Sequence, residues 1–408
     1  MRDLALLLWV ALLGADRIDL LGGEGPIVLT PFYLLTPIVL WSEGLRRRRI
    51  GHTFLPALPS RGAAFAAGVL ALLAVAALSV LVSRDVTTSV GRLVLLTAIS
   101  CGTGLVLWSV WDDPRWSDRL ARGGRWGLAL GAVWGLLEVM QFVGWVPADW
   151  FLGPIRLRLD PYTYAGILPR ISGVTFDPNR AGLVILLHWA LVERVRPRRA
   201  GWGVLTVVLL IGTLSRSALL AALAYLAIRH LGGVSRVIRR PPAPRLGISL
   251  VVALASLALL LAPTPRERLG RFLAPVAQRL SAAEGSAQSH TALMRQGITE
   301  ATRDVPRTLV GVGYGTSFLL LRDRFGGDRY GNFHSLYVTL WVESGFIALA
   351  LIILLLMRPL GLPGEWRALL LGAILFNVFY QSIAEPAFWA MIALAWSAPP
   401  ALSLMRSR

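Results

Sequence analysis

The sequence contains no lysine and a single cysteine, and charged residues are scarce among its 408 residues. Charged side chains make up 16% of the chain, whereas soluble domains carry about 25%. Cys101 lies within an apolar run, which excludes a disulfide within the chain and a metal site with several cysteine ligands. Hydrophobic residues reach 55%, and a soluble fold could not cover so much apolar surface with so few polar side chains.

The apolar runs predict an all-α polytopic membrane protein, because several approach the roughly 20 residues that cross a bilayer as a helix. The twelve candidate spans are 4–21, 26–41, 61–82, 90–111, 124–146, 179–195, 201–214, 217–231, 246–262, 334–357, 366–384 and 386–404. The seventh and eighth are separated by Leu214-Ser215-Arg216 only and could form one bent helix. The first has no small-residue cleavage site after it, so we interpret it as a retained helix rather than a signal peptide.

Arginine follows every even-numbered span and predicts the orientation of the chain. Arg46 to Arg49 follow the second span, and similar groups follow the fourth, sixth, eighth and tenth. Short loops rich in arginine stay in the cytoplasm, so the pattern predicts that both termini are cytoplasmic. The formal net charge of +18 therefore indicates membrane orientation and gives no reason to expect a nucleic-acid partner.

One long polar segment divides the predicted spans. Residues 1–262 hold the first nine spans, residues 334–408 hold the last three, and residues 263–333 are predicted to form a partly helical loop outside the cytoplasm. A helical pattern covers 292–303. The glycine-rich stretch 311–315 indicates a turn rather than a nucleotide site, because no βαβ unit surrounds it.

Two arginines at the predicted outer face carry the clearest signals for chemistry. Arg216 interrupts an apolar stretch, where a guanidinium needs a cavity, a partner or an anion; alternatively its head group extends to the interface. Arg180 follows Asp177 and Asn179 in the first turn of a helix, so its charge opposes the helix dipole. A bound anion would resolve that conflict, and so would an ion pair with Asp177. Spacing alone does not distinguish Arg295 from the other loop arginines.

His334 begins the tenth span, directly after the polar segment. Tyr337, Trp341 and Gly345 share its helix face, and histidine can give or take a proton near neutral pH. The alternative is an interfacial histidine bonded to loop backbone. The other histidines are scattered over different segments, so no metal-ligand cluster is predicted. Asp112-Asp113 lies at the opposite, cytoplasmic side, and we interpret it as part of a solvated loop.

These motifs together resemble the O-antigen ligase and polymerase superfamily of bacterial membrane glycosyltransferases. The resemblance covers residues 171 to about 356 and rests on segments 173–180, 213–220 and 306–315, on Arg295, and on His334-Ser335 followed after nine residues by Gly345. The ligase pattern also expects Gly, Thr or Tyr three residues after that glycine. This chain has Ala348 there, so ligase and polymerase both stay open.

The resemblance implies twelve transmembrane helices, a periplasmic active site at the bacterial inner membrane, and neither a metal nor another cofactor. Such enzymes move a glycan from undecaprenyl diphosphate to an acceptor hydroxyl, on lipid A–core for ligases and on a growing repeat-unit chain for polymerases. We expect Arg180, Arg216 and Arg295 to hold the diphosphate. His334 would activate the acceptor with inversion, or bind phosphate instead.

Two competing classes are less well supported. A twelve-helix transporter or flippase commonly shows two related halves, and no half-to-half similarity is visible in this sequence. A peptidoglycan-type polymerase would use a similar lipid donor, but the Arg216-x-x-x-Leu220 and His334-Ser335 elements argue against it.

Overall fold

The structure, a computed structural model, describes residues 2–22, 28–54, 60–111, 113–164, 168–195, 200–237, 285–325, 331–361 and 366–397. Helices and strands are numbered along this part of the chain. The helices are α1 (Arg2–Ala11), α2 (Pro31–Arg49), α3 (Ser60–Val80), α4 (Val86–Val110), α5 (Trp116–Phe142), α6 (Pro178–Val195), α7 (Ala200–Gly212), α8 (Arg216–Val237), α9 (Gly285–Ala301), α10 (Val305–Val310), α11 (Ser317–Phe325), α12 (Leu336–Met357), α13 (Arg367–Val378) and α14 (Pro386–Ser397).

The chain is a mostly helical membrane protein, as predicted. Eleven of the twelve predicted spans overlap a helix, and the remaining one, 246–262, lies outside the described residues. Within the described ranges, three helices are long and apolar enough to cross a membrane: α3, α4, and α12 with its short 3₁₀ extension to Gly361. The count of twelve spans and the position of the loop outside the cytoplasm stay predictions.

Local sequence signals explain where several helices begin. Prolines open α2, α6 and α14, a position where the missing N–H costs nothing and the fixed φ suits the helix. Asp85 caps α4 by accepting a hydrogen bond from the N–H of Thr88 at 3.0 Å. Such caps satisfy backbone donors that have no partner within the helix.

Two small antiparallel sheets were not predicted. The first has the order β1–β3–β2, formed by Ile18–Asp19, Ile155–Arg158 and Asp149–Leu152. The second pairs β4 (Tyr162–Tyr164) with β5 (Leu168–Arg170). β1 falls inside the predicted span 4–21, so the helix there is shorter than expected and ends at Ala11.

The buried side chains form one large core and a smaller outer cluster. The large core runs between α1 to α8 and α12 to α14. The outer cluster joins α9 and α11 to one face of α12, through Leu293, Ala301, Leu321, Phe333, Val338 and Val342. Leu336 and Leu340, on another face of α12, belong to the large core. The first turns of α12 therefore lie between the two clusters.

Helix α12 is interrupted at Gly345, whose φ is 79°. A Cβ atom there would lie 2.0 Å from the carbonyl oxygen of Leu309, so a glycine is required by both conformation and space. The predicted turn at 311–315 packs into the interruption, and the N–H of Val312 donates to the carbonyl of Val342 at 2.9 Å. The glycine-rich stretch is thus a turn, as predicted, and it satisfies a carbonyl of the interrupted helix.

Asp113 is not solvated, in contrast to the expectation for Asp112-Asp113; Asp112 lies outside the described residues. The Asp113 carboxylate is 3.0 Å from the guanidinium of Arg119. Arg119 also pairs with the fully buried Glu43 at 2.5 Å, and Arg46 pairs with Glu43 at 2.7 Å. Burial of these charges requires such pairing, and the network joins α2 to the start of α5.

Candidate active site

The backbone of His334 is held in an unusual conformation. Its φ is 53°, and within the described ranges Leu214 is the other non-glycine residue with positive φ. A left-handed backbone at such residues costs about 1–3 kcal/mol and marks functional sites. The N–H of His334 donates to the side chain of Asn332 at 2.7 Å, and the following helix is held by a bond from the N–H of Leu336 to the carbonyl of Tyr380.

The imidazole of His334 stacks on a second imidazole and lies near a carboxylate. Its ring stacks on that of His290, with centroids 4.1 Å apart and planes 13° apart. Burial lowers the pKa of His334, and the nearby carboxylate of Asp177 opposes this by raising it. Burial raises the pKa of the Tyr380 phenol, and the charge of Asp177 also contributes to this rise. A neutral imidazole beside a carboxylate can accept a proton, because the carboxylate stabilises the resulting cation.

Arg180 lies in the first turn of α6 between two acids. Its guanidinium forms ion pairs with Asp16 and Glu385, rather than with Asp177 as the alternative interpretation proposed. Burial raises the pKa of Glu385 to about 7, and the charge of Arg180 partly opposes this rise. Ion pairing therefore resolves the conflict of Arg180 with the dipole of α6, and it fixes the guanidinium near the start of that helix.

Hydrogen bonds bring the start of α8, and with it Arg216, next to the start of α6. The hydroxyl of Ser215 donates to the side-chain oxygen of Asn179 at 2.7 Å. The guanidinium of Arg170 donates to the carbonyl of Thr213 at 3.0 Å. Arg216 is the first residue of α8 and is half-buried. α7 and α8 are separate helices rather than one bent helix, because the chain turns through Leu214.

A buried ion pair supports the segment that precedes Arg180. Arg17 and Glu138 are 3.1 Å apart and both are almost fully buried. Arg17 donates to the carbonyls of Thr175 at 2.7 Å and Asp160 at 2.5 Å. The carboxylate of Glu138 accepts from the N–H groups of Ser172 and of the next residue, each at 3.0 Å. These contacts fix the backbone that leads to Asp177.

Arg295 lies apart from the other predicted site residues. It is exposed on α9, while Leu293 and Gly297 of the same helix pack toward α12. At 100° per residue, Arg295 is about 200° from Leu293, on the opposite face of the helix. The structure thus groups Arg180, Arg216 and His334 around the first turns of α6, α8 and α12, and leaves Arg295 at the surface of the outer cluster.

Several residues of this site escaped the sequence interpretation. Arg17 and Glu138 are charges inside apolar runs, a signal that was present and that marks function in membranes. Asp16 and Glu385 are distant in sequence from the arginine they contact, and His290 lies in a polar segment with no distinguishing pattern. Within the described ranges there is no group of three or more potential metal-binding His, Cys, Asp or Glu residues. The expectation of a metal-independent site stays a prediction.

A comparison with protein families supports the resemblance seen in the sequence. A family model described as "O-Antigen ligase" matches residues 201–353. The matched range contains Arg216, Arg295 and His334 and begins after Arg180. A search of curated proteins found no match.

Proposed function

Because the chain belongs to the O-antigen ligase and polymerase superfamily of membrane glycosyltransferases, we propose that it moves a glycan from undecaprenyl diphosphate to an acceptor hydroxyl at the periplasmic face. The observation that carries this proposal is the position of His334 near Asp177, which directly precedes the first turn of α6 with Arg180. Ser215 and Asn179 join the start of α8, and with it Arg216, to the same turn. A base and two cations at one place suit a reaction with a polyanionic leaving group.

Arg180 and Arg216 would bind the diphosphate. Both lie in the first turn of a helix, where the helix dipole favours anions. Guanidinium groups match phosphate oxygens in geometry and charge. Cations fixed in advance stabilise the negative charge that develops as the diphosphate leaves. The two acids beside Arg180 hold it in position and reduce the charge that must be balanced before the donor binds.

His334 would act as the general base. The neutral imidazole takes the proton of the acceptor hydroxyl while the oxygen attacks the anomeric carbon. The bond from that carbon to the diphosphate oxygen breaks, and the configuration inverts. Asp177 stabilises the imidazolium that results. The lowered pKa of His334 favours the neutral ring, whose free nitrogen can accept the proton, over a cationic ring that would pair with phosphate charge.

Arg295 stays a proposed third ligand of the diphosphate. Its exposed side chain lies on the face of α9 opposite Leu293, so donor binding would have to draw α9 or the side chain toward Arg180. This role makes a distinct prediction: replacing Arg295 weakens donor binding without changing the pH dependence set by His334.

We propose a ligase with lipid A–core as acceptor, and a polymerase of the same superfamily as the second candidate. Ala348, which departs from the ligase pattern, is fully buried in the large core, so it cannot contact an acceptor at the surface. Ala348 is therefore weaker evidence against a ligase than a substitution among the active-site residues would be. A transporter or flippase is disfavoured by the family match to an enzyme family.

The decisive experiment uses purified protein in liposomes with a synthetic undecaprenyl-diphosphate-linked glycan, without ATP or an ion gradient. Lipid A–core and free repeat units are offered separately as acceptors, and products are identified by mass spectrometry. Transfer to lipid A–core supports the ligase, and chain extension supports the polymerase. An intact donor in both reactions, with folded protein present, contradicts the enzymatic proposal.

A further inference from the structure

A cavity lies at the start of α5, far from the candidate active site. Its volume is about 240 Å³, and its charged wall consists of Arg115, Arg122, Arg125 and Asp118, with Trp202 beside them. Three guanidinium groups against one carboxylate leave a formal charge of +2. Guanidinium groups are well suited to phosphate, because their N–H donors match the spacing of two phosphate oxygens and can bond both at once.

The cavity lies at the level expected for lipid head groups. It surrounds the first turns of α5, whereas Glu138, near the last turn, contacts the active-site segment. Sixteen residues separate Arg122 from Glu138, or about 24 Å along a helix. Trp126, one turn after Arg122, is 61% exposed. Exposed tryptophan and arginine together are typical of the membrane–water interface.

The surfaces next to the cavity are apolar and face outward. Val133 and Leu136 of α5 are 57% and 61% exposed, and Val204 and Val208 of α7 are 39% and 48% exposed. α5 and α7 pack against each other, and each contributes a residue to the cavity wall. In a membrane, exposed apolar stripes on adjacent helices face acyl chains.

We propose that this cavity binds the phosphate of an anionic phospholipid whose acyl chains lie along the outward faces of α5 and α7. Soluble phosphate offers the same oxygen atoms but lacks the chains, so it would leave the apolar faces of α5 and α7 unused. The site is separate from the diphosphate site of the proposed reaction and does not depend on that function. Basic pockets between membrane helices bind acidic head groups by this combination of contacts.

The test compares two double variants of the full-length protein. Arg115→Gln/Arg122→Gln removes two exposed cations of the cavity, and Arg48→Gln/Arg49→Gln removes two exposed cations of α2 outside it. Native mass spectrometry from detergent counts bound phosphatidylglycerol and phosphatidylcholine. We expect about a fivefold loss of phosphatidylglycerol for each cavity arginine removed, unchanged phosphatidylcholine, and a much smaller loss in the α2 variant.

Three results would overturn the proposal. Equal loss in both variants would mean general surface attraction, and equal retention of the two lipids by the unmutated protein would mean no head-group selection. The latter comparison needs no variant, so it stays informative if Arg115→Gln/Arg122→Gln fails to fold. Displacement of phosphatidylglycerol by millimolar inorganic phosphate would identify a site for soluble phosphate instead of a lipid.

Discussion

His290 and His334 stack face to face, with ring centroids 4.1 Å apart, although one lies on α9 and the other precedes α12. Two imidazolium ions at this separation repel each other, so the stack resists double protonation. Stacking also restricts the orientation of the His334 ring. His290 is therefore a positioning residue for the proposed base, and it connects the outer cluster to the reaction.

Replacing His290 separates its two effects. His290→Phe keeps a stacked ring and removes the charge, so we expect near-normal kcat, with the acid limb of the pH–rate profile shifted to higher pH. His290→Ala also removes the ring, and we expect a roughly tenfold or greater loss of kcat with little change in donor KM. The exposed Thr299→Ala on the same helix is the control. If both variants had the kcat of the unmutated protein and an unshifted acid limb of the pH–rate profile, His290 would have no role in the mechanism.

Replacing the base itself has the largest expected effect. His334→Ala should lower kcat by about 10²- to 10⁴-fold, the usual contribution of a general base. Glycan transfer in liposomes measures the rate, and retention of the labelled donor on the protein measures binding. A base leaves donor binding nearly intact, whereas a phosphate ligand would weaken it together with the rate. Near-normal turnover would exclude both roles.

Asp177 makes a prediction about pH. Its carboxylate raises the pKa of His334, so Asp177→Asn should lower that pKa further. The base then stays deprotonated at more acidic pH, and the acid limb of kcat/KM moves to lower pH by about one unit. The plateau rate falls as well, because the imidazolium loses its stabilising charge. Asp323→Asn, in an exposed pair with Arg84, should leave the profile unchanged.

Glu385 makes donor binding depend on pH. Its pKa is raised by burial to about 7, so it ionises between pH 6 and 8 and adds a negative charge beside Arg180. We expect donor KM to rise about fivefold over this range, since a like charge at contact distance costs on the order of 1 kcal/mol. Glu385→Gln should remove the dependence. The same rise in the variant would assign the effect to another group.

The raised pKa of Glu385 also affects folding. Between its ordinary pKa of 4.5 and about 7, the folded protein binds more protons than the unfolded chain at this group, so its contribution to stability falls as pH rises. Glu385→Gln should therefore flatten the decrease of the melting temperature from pH 5 to pH 8 in detergent. An unchanged slope would show that Glu385 titrates normally.

The Arg17–Glu138 pair predicts a large effect on stability. Arg17→Met leaves the Glu138 carboxylate buried without its cation and should cost about 3–5 kcal/mol. Arg17→Met/Glu138→Leu should recover part of this, but the N–H of Ser172 loses its acceptor. Thermal unfolding in detergent compares these variants with Arg84→Gln. That substitution breaks the exposed ion pair with Asp323, which contributes about 0–1 kcal/mol to stability. A single variant as stable as Arg84→Gln would contradict the proposed support of the active-site segment.

Hydropathy predicts the helices well, because membrane-sized apolar runs leave few alternatives. It fails at the end of α1, where Arg17 is enclosed by carbonyl oxygens from residues more than 140 positions away. The same limit applies to Arg180: its position at a helix start is visible in the sequence, but its two acidic partners depend on how α1, α6 and α14 meet. A local sequence pattern therefore predicts where a buried charge lies along the chain, but it does not predict which distant residue forms an ion pair with it.

The sequence identified His334 as a site residue but did not predict its surroundings. Its place at the start of a span and its neighbour Ser335 were sufficient to select it from the sequence. Its positive φ and its stack with His290 were not predictable, because both depend on how the outer cluster meets α12. The family match supports a membrane glycosyltransferase of the O-antigen ligase or polymerase type, whereas the proposed roles of Asp177 and His290 come from their surroundings in the structure.

The interruption of α12 at Gly345 has a mechanical consequence. A continuous helix would transmit any tilt of its outer end into the bilayer, but here the ladder of backbone bonds is broken and a carbonyl on the outer side is bonded to Val312. The residues before Gly345 pack against both the outer cluster and the large core, and the N–H of Leu336 donates to the carbonyl of Tyr380. The segment that presents His334 is therefore held by contacts of its own, and a shift of the apolar residues after Gly345 is not passed to it along a continuous ladder of helix bonds.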